Sequence, residues 1–384
     1  MLMERQFDHG LLPHTHADER ARQDFVQSLK LYLAQKVVPG IETVYEARVR
    51  PAFEKAHGRP PQDNYEVDAV MNGNYYYRLW ASLYRTAQEL MWCSAAEPIL
   101  RQREDMARAA VVANPVGSLE LDPALEVPRY LSAVDIHCMP GSYHGEAIAG
   151  DVTQGALYDR GVHIYGMGGL GPKLGKAGEL VGQFIHEKFP QMRDRPLRIL
   201  DIGCTVGHST LAYAEAFPNS EIHAIDVAAP VLRYAHARAE AMGVPVHFKQ
   251  MNAEEMDYPD NHFDLVVSHI VLHETSSKAI HRIMKECRRV LKPDGVAAHI
   301  DLCFFEDLSP FNGFMMMFDG PNNNEPFWGT LRKMKARNLL KDAGFAEDAV
   351  FEQFVSRAYQ GQTVFSEGAS DAGRGTWKII GGMK

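Results

Sequence analysis

The sequence predicts an α/β fold, an open and mostly parallel sheet with helices on both faces, preceded by a mainly α-helical domain. Three observations predict it. From Glu179 onward short β-rich runs alternate with helical ones, the pattern of parallel βαβ units. The stretch Arg198-Ile-Leu-Asp-Ile-Gly-Cys-Thr-Val-Gly-His-Ser-Thr210 reads as a buried strand, a glycine turn and the start of a helix. Residues 20–112 carry only helical periodicity.

At 384 residues the chain is long enough for two domains. The division falls near residue 150: a helical substrate or dimerisation domain over 1–150, and the α/β domain over 151–384. A net charge of −9 argues against a non-specific nucleic-acid binder, which needs basic surface for phosphates. Five scattered cysteines form no Cys-x-x-Cys pair and favour reduced thiols in a cytoplasmic protein. No run has the length of a signal-peptide core or a bilayer span, so no membrane partner is expected.

In chain order, residues 1–20 are polar and His-rich (His9, His14, His16) and read as a mobile lead-in. Phe25, Leu29, Leu31, Tyr32 and Val37 recur near helical spacing, and residues 67–93 do so with many aromatics, among them Trp80, Tyr84 and Trp92. Those aromatics suit a helix–helix core or a dimer face; a substrate pocket is the alternative. Residues 115–128 form a connection. In the segment that follows, His137 and His144 lie seven apart across Pro140-Gly141, which matches no common zinc spacing, so no metal is expected. That turn either carries Tyr143 and His144 to a ligand or forms a packed corner. The glycines of 166–178 imply mobile or closely apposed backbone. Strands are then expected at 198–202, 221–226, 246–250, 263–269 and 296–302, with helices at 180–189, 209–217, 230–242 and 278–290. Two more β-rich runs, 351–355 and 376–380, close the chain.

A strand feeding a helix through glycines builds a cofactor cradle, because the helix start offers unpaired N–H groups. A dinucleotide turn needs glycine at the first, third and sixth positions, but here those are Gly203, Thr205 and His208. What survives is Asp201-x-Gly203-x-Thr205-x-Gly207. Asp226 closes the second strand, where a carboxylate can accept both ribose hydroxyls. Asn252-Ala253 follows the third strand, and the runs 261–269 and 288–295 come next.

In this order these features resemble the class I S-adenosylmethionine (SAM)-dependent methyltransferases, over residues 150–384. The resemblance implies a Rossmann-like sheet of seven strands, the last antiparallel, and SAM as cofactor. It assigns the cradle to Asp201, Gly203, Cys204, Thr205 and Gly207, and the ribose to Asp226 and Val227. It assigns the adenine edge to Asn252 and Ala253, places Ser268 at the strand end beside the cofactor, and makes Tyr158 and Tyr165 lid residues. Thr205 departs from the family's middle glycine, and its Cβ crowds the cofactor.

Methyl transfer needs chiefly in-line positioning, and a base only where the acceptor loses a proton. Beyond the sheet's carboxyl ends, His269 and His273 are four apart and share a face if that segment is helical. They are the candidate bases, with Glu274 orienting one of them or capping the next helix. The plainer alternative has His269 lining the methionine moiety and His273 packed in a loop. The long connection 303–338, with its Met residues and aromatics, is expected to cover the acceptor. Tyr143, His144, Asp301 and Trp328 are the candidate acceptor contacts. The expected activity is methyl transfer to an O, N, S or C nucleophile of a small molecule, by a protein able to dimerise through its N-terminal helices. A SAM-binding sensor or scaffold without turnover is the alternative; an NAD-dependent oxidoreductase is disfavoured by the glycine spacing.

Overall fold

The computed structural model describes residues 5–356, 364–366 and 376–384. Its centre is a single sheet in the order β1-β4-β3-β2-β5-β6-β9-β7-β8. The strands are β1 (Ser118–Glu120), β2 (Arg198–Ile202), β3 (Glu221–Asp226), β4 (His247–Gln250), β5 (Phe263–His269), β6 (Leu291–Leu302), β7 (Val350–Ser356), β8 (Val364–Ser366) and β9 (Thr376–Met383). Strands β4, β3, β2, β5 and β6 run parallel, and β9 enters antiparallel between β6 and β7. This is the expected sheet of seven strands, with one further strand at each edge. β1 lies in the segment expected to be a connection. It pairs with β4 in parallel, and a Cβ at Gly117 would collide with the Val246 carbonyl. Strand β6 starts five residues before the expected 296, because a register shift between Phe263 and Leu265 absorbs Lys292-Pro-Asp-Gly295.

Both sheet faces are covered, so the parallel strands are nearly continuous apolar runs. Ile199, Leu265, Val267 and Val296 face one core, and Leu200, Ile202, Val266 and Ala297 face the other. That alternation puts successive side chains of one strand into opposite layers.

The N-terminal helices dock on this frame. Helix α1 (Ala17–Tyr32) continues to His57 through two π turns, Leu33–Val37 and Tyr45–Val49. Each lies just before a proline, Pro39 or Pro51, whose missing N–H disrupts the regular ladder. Helix α2 (Tyr75–Arg101) runs antiparallel to α1, as the pairs Arg22–Glu97 and Lys30–Gln88 show. Helix α3 (Thr153–Tyr165) is pressed between α2 and α6 (Ala229–Ala241). Gly161 lies against the Trp92 ring and Gly155 against Tyr234, and neither position has room for a Cβ. The remaining helices that frame the site are α4 (Lys176–Lys188), α5 (His208–Ala216), α7 (Ser277–Val290) and α8 (Trp328–Arg332).

The lead-in is not loose where it is described. His9 is buried with its Nε2 2.8 Å from Asp159 Oδ2, and Gln6 Nε2 donates to Asp159 Oδ1 at 3.0 Å. A buried carboxylate needs such partners, and local sequence gave no sign of it. Residues 1–4 lie outside the described residues.

Candidate cofactor and acceptor cleft

A cleft opens at the carboxyl ends of β2, β3 and β4, where an open α/β sheet binds its ligands. Gly203, Thr205, Asp226, Val227, Asn252 and Ala253 line it, all expected at the cofactor. The turn takes left-handed backbone three times, with φ of 67° at Gly203, 45° at Thr205 and 77° at Gly207. At Gly203 a Cβ would lie 2.5 Å from Val271 Cγ2, so glycine is needed for space as well as conformation. Thr205 holds a conformation that costs a β-branched residue energy. Its backbone N–H donates to Asp226 Oδ2 at 3.0 Å, and the Ala228 N–H donates to Oδ1 at 3.0 Å. The carboxylate expected at the ribose therefore pins the turn. Burial pushes Asp226 up to about 6, against those backbone donors. Asn252 Oδ1 accepts the Glu254 N–H at 2.9 Å, which holds its amide at the cleft wall.

Asp201, Cys204 and Ser268 depart from their expected places. Asp201 is buried beneath the turn and accepts the Thr210 hydroxyl at 2.6 Å, so it braces α5. Burial pushes its carboxyl up to about 7. The Cys204 side chain packs in the apolar core. The Ser268 hydroxyl lies within the sheet, 2.8 Å from His299 Nδ1. Strand alternation explains Asp201 and Ser268, since every second residue of a strand points away from a ligand at the sheet end.

Tyr158 stands at the cleft's edge, its ring stacked on His208 at 5.9 Å and 5.5 Å from Tyr143, beside the Thr205 side chain. Tyr165, the other expected lid residue, lies at the far end of α3 with Lys30 Nζ 4.8 Å from its ring centroid. It does not reach the cleft. Within the glycine run, Gly178 serves close packing, since its Cβ would meet the Ser209 carbonyl at 2.7 Å, while Gly171 serves a left-handed turn with φ of 74°.

On the other wall stand Tyr143, His144 and Glu274. Glu274 Oε1 accepts the Tyr143 hydroxyl at 2.9 Å and lies 2.8 Å from His137 Nε2. His137 Nδ1 lies 3.1 Å from Glu325 Oε1, whose second oxygen is 3.3 Å from His273 Nε2. His273 Nδ1 then meets Asp301 Oδ1 at 2.9 Å. The result is one row alternating carboxylate and imidazole. Burial opposes charge on His273, but Asp301 and Glu325 outweigh it and push its pKa up to about 10. The same contest, decided by Glu325 and Glu274, holds His137 well above the ordinary histidine range. Between the two imidazoliums Glu325 falls to about 2, despite its burial.

The candidate bases fare accordingly. His273 is a buried cation in the short 3-10 turn Leu272–Glu274 and shares no helical face with His269. His269 ends β5 with its ring 6.1 Å from that of Trp377, away from the cleft lining. Asp301 and Trp328 are buried as well. Asp301 serves His273, while the Trp328 N–H donates to the Met316 carbonyl and its ring packs on His273 and Arg332.

His137 and Glu325 were missed as site residues. Local sequence marks neither: Glu325 sits in an Asn-rich loop, and only the structure shows His137 (φ 56°) and Cys138 (φ 59°) as consecutive left-handed residues. The His137 carbonyl is held by Trp92 Nε1 at 2.7 Å and Gln88 Nε2 at 3.1 Å, so α2 fixes this loop. Tyr130, also on the cleft wall, had no signal at all. Among the described residues no cluster of metal-ligating side chains is present.

Comparison with known proteins places this geometry. Residues 199–295 match the family described as a methyltransferase domain. That stretch contains the glycine turn, Asp226, Asn252, Ala253 and Glu274. An uncharacterised methyltransferase of Bacillus subtilis is 33% identical over 99 residues, 26% of this chain and 38% of that one. A demethylmenaquinone methyltransferase of Thermus thermophilus is 34% identical over 100 residues, 26% of this chain and 44% of that one. A malonyl-[acyl-carrier protein] O-methyltransferase of Halorhodospira halophila is 28% identical over 115 residues, 30% of this chain and 38% of that one. The chain spans about two fifths of the length of these relatives.

Proposed function

We propose, on the premise that residues 199–295 form a class I methyltransferase domain with SAM as its cofactor, that this chain transfers a methyl group to a small-molecule acceptor. One observation carries the reading. Gly203 and Thr205, Asp226 and Val227, and Asn252 and Ala253 come from three separate sheet-end loops and line one cleft. The residues fit the cofactor: the turn leaves backbone room, Asp226 offers carboxylate oxygens to a ribose, and Asn252 and the Ala253 N–H can read an adenine edge. The cofactor supplies a methyl group already activated by its sulfonium. The chain's own contribution is to hold the acceptor in line with that methyl and to exclude water. Names of relatives that refer to demethylmenaquinone and to malonyl-acyl-carrier protein support a metabolite as acceptor.

The N-terminal 150 residues, with 303–338, would close over the acceptor, and both contribute to the ionic row beside the cleft. They also carry a face suited to a second copy of the chain. Leu79, Leu83, Leu90 and Leu100 on α2 are 39–49% exposed, in step with Thr86, Cys93 and Glu97 at alternating spacings of four and three. Exposed Phe25 and Tyr32 of α1 adjoin them, since the Arg22–Glu97 contact of 2.7 Å ties the two helices together there. An apolar stripe of this length suits self-pairing of α2 across a two-fold axis. Five free cysteines favour a cytoplasmic setting.

The test is transfer of a labelled methyl group from SAM into cell-extract fractions, with small molecules, protein and RNA kept apart. Label in a small-molecule peak supports the reading. Label only in protein or RNA overturns the acceptor class. SAM binding with no label anywhere favours the sensor, and NAD binding without SAM binding ends the reading.

A further inference from the structure

The ionic row beside the cleft is built from distant parts of the chain. Tyr143 and His137 come from the loop before α3, His273 and Glu274 from the turn after β5, Asp301 from β6, and Glu325 from the connection before α8. Resting on the methyltransferase reading, we propose that Glu274 takes a proton from the acceptor. The acceptor is then an O–H, N–H or C–H nucleophile, and not a thioether or tertiary amine.

Geometry singles out this carboxylate. Both of its hydrogen bonds, from Tyr143 and His137, go to Oε1. Oε2 has no hydrogen-bond partner among the described residues, and the side chain lines the cleft. The other groups nearby are engaged or unheld. Asp226 already accepts a backbone N–H on each oxygen and is the carboxylate assigned to the ribose. Glu254 accepts from Tyr130 at 3.0 Å and Arg282 at 3.2 Å. His137 and His273 each stand between two carboxylates, which favour their protonated forms. His144 faces the cleft, yet its buried Nδ1 has no partner to orient the ring.

The row sets this carboxylate among groups of opposite charge. Glu274, Glu325 and Asp301 supply three negative charges; His137, His273 and the buried Arg332 guanidinium, whose charge acts on Asp301 and Glu325, supply three positive ones. Tyr143, His137 and Glu325 are positioning residues in this arrangement, and Glu274 the catalytic one.

The step balances. The acceptor's lone pair or carbanion electrons form the bond to the methyl carbon, the carbon–sulfur bond breaks with its electron pair going to sulfur, and the acceptor's proton passes to Glu274 Oε2. Release of products lets that proton leave to water.

The experiment uses the full chain, deuteromethyl-labelled SAM and the small-molecule fraction of a cell extract, with product and precursor compared by mass. The expected product replaces one hydrogen by the methyl group and gains no charge. Glu274→Gln is expected to lower transfer about 100-fold or more, while calorimetric SAM affinity stays within about twofold of wild type. Glu274→Asp recovers part of the loss, and Tyr143→Phe gives a smaller one. A product carrying a whole added methyl and a new positive charge overturns the proposal. So does full activity in Glu274→Gln, or a loss confined to His144→Gln. Failure of the wild type to bind SAM, or to form any product, sinks the methyltransferase reading and this proposal with it.

Discussion

His273 and Asp301 make a two-pronged contact, with Nδ1 2.9 Å from Oδ1 and 3.1 Å from Oδ2, and both side chains 1% exposed. A pair so deep is protected from solvent screening, and its loss leaves a buried charge unmatched. The folded-state pKa of His273, about 10, exceeds the unfolded value of about 6.5. Its contribution to stability is therefore complete below about pH 6.5 and is lost as pH rises toward about 10, at up to about 1.4 kcal/mol per pH unit. Denaturant unfolding of wild type and His273→Asn across that range checks this. The variant should lose about 3–5 kcal/mol at pH 6 and show a flatter alkaline slope.

If Asp226 holds the ribose as proposed, cofactor affinity should depend on pH. Its carboxyl, raised to about 6 by burial, accepts two ribose hydroxyls best when ionised. Calorimetric SAM affinity should be constant at neutral pH and fall as pH drops through about 6. Asp226→Asn should bind more weakly, by about tenfold or more, and lose that pH dependence.

The seam between helical region and sheet depends on Gly161. Gly161→Ala should lower stability by about 1–3 kcal/mol, as overpacking does, because the new methyl meets the Trp92 ring. Trp92 also holds the His137 carbonyl, so the variant should lose methyl transfer more than SAM affinity. Equilibrium unfolding and calorimetry on the same variant separate the two effects.

The apolar stripe on α2 predicts self-association. Light scattering should find a dimer for wild type and a monomer for the double variant Leu83→Glu, Leu90→Glu, with SAM affinity unchanged. A wild-type monomer at all concentrations, or a variant that stays dimeric, removes the stripe from consideration.

Much of the cleft was legible because its parts are local. A glycine turn, an acidic strand end and an Asn-Ala pair each sit within a few residues of a strand's carboxyl end, and parallel topology brings such ends together. Ser268 and Tyr165 were misplaced for a related reason. Their positions along the chain were right for the site, but strand alternation turned one into the sheet and helix length carried the other away from it. His137 and Glu325 are 188 positions apart, and no local pattern reports that they touch.

By itself, then, the sequence determined the parallel sheet, the places of its strands along the chain and the glycine turn that precedes the acidic strand end at Asp226, because backbone conformation and hydrophobic period are written over a few residues at a time. Only the tertiary structure decided which histidines are charged and which carboxylate faces the cleft. Burial and the sign of neighbouring charges set those states, and both come from residues that meet only when the chain has folded.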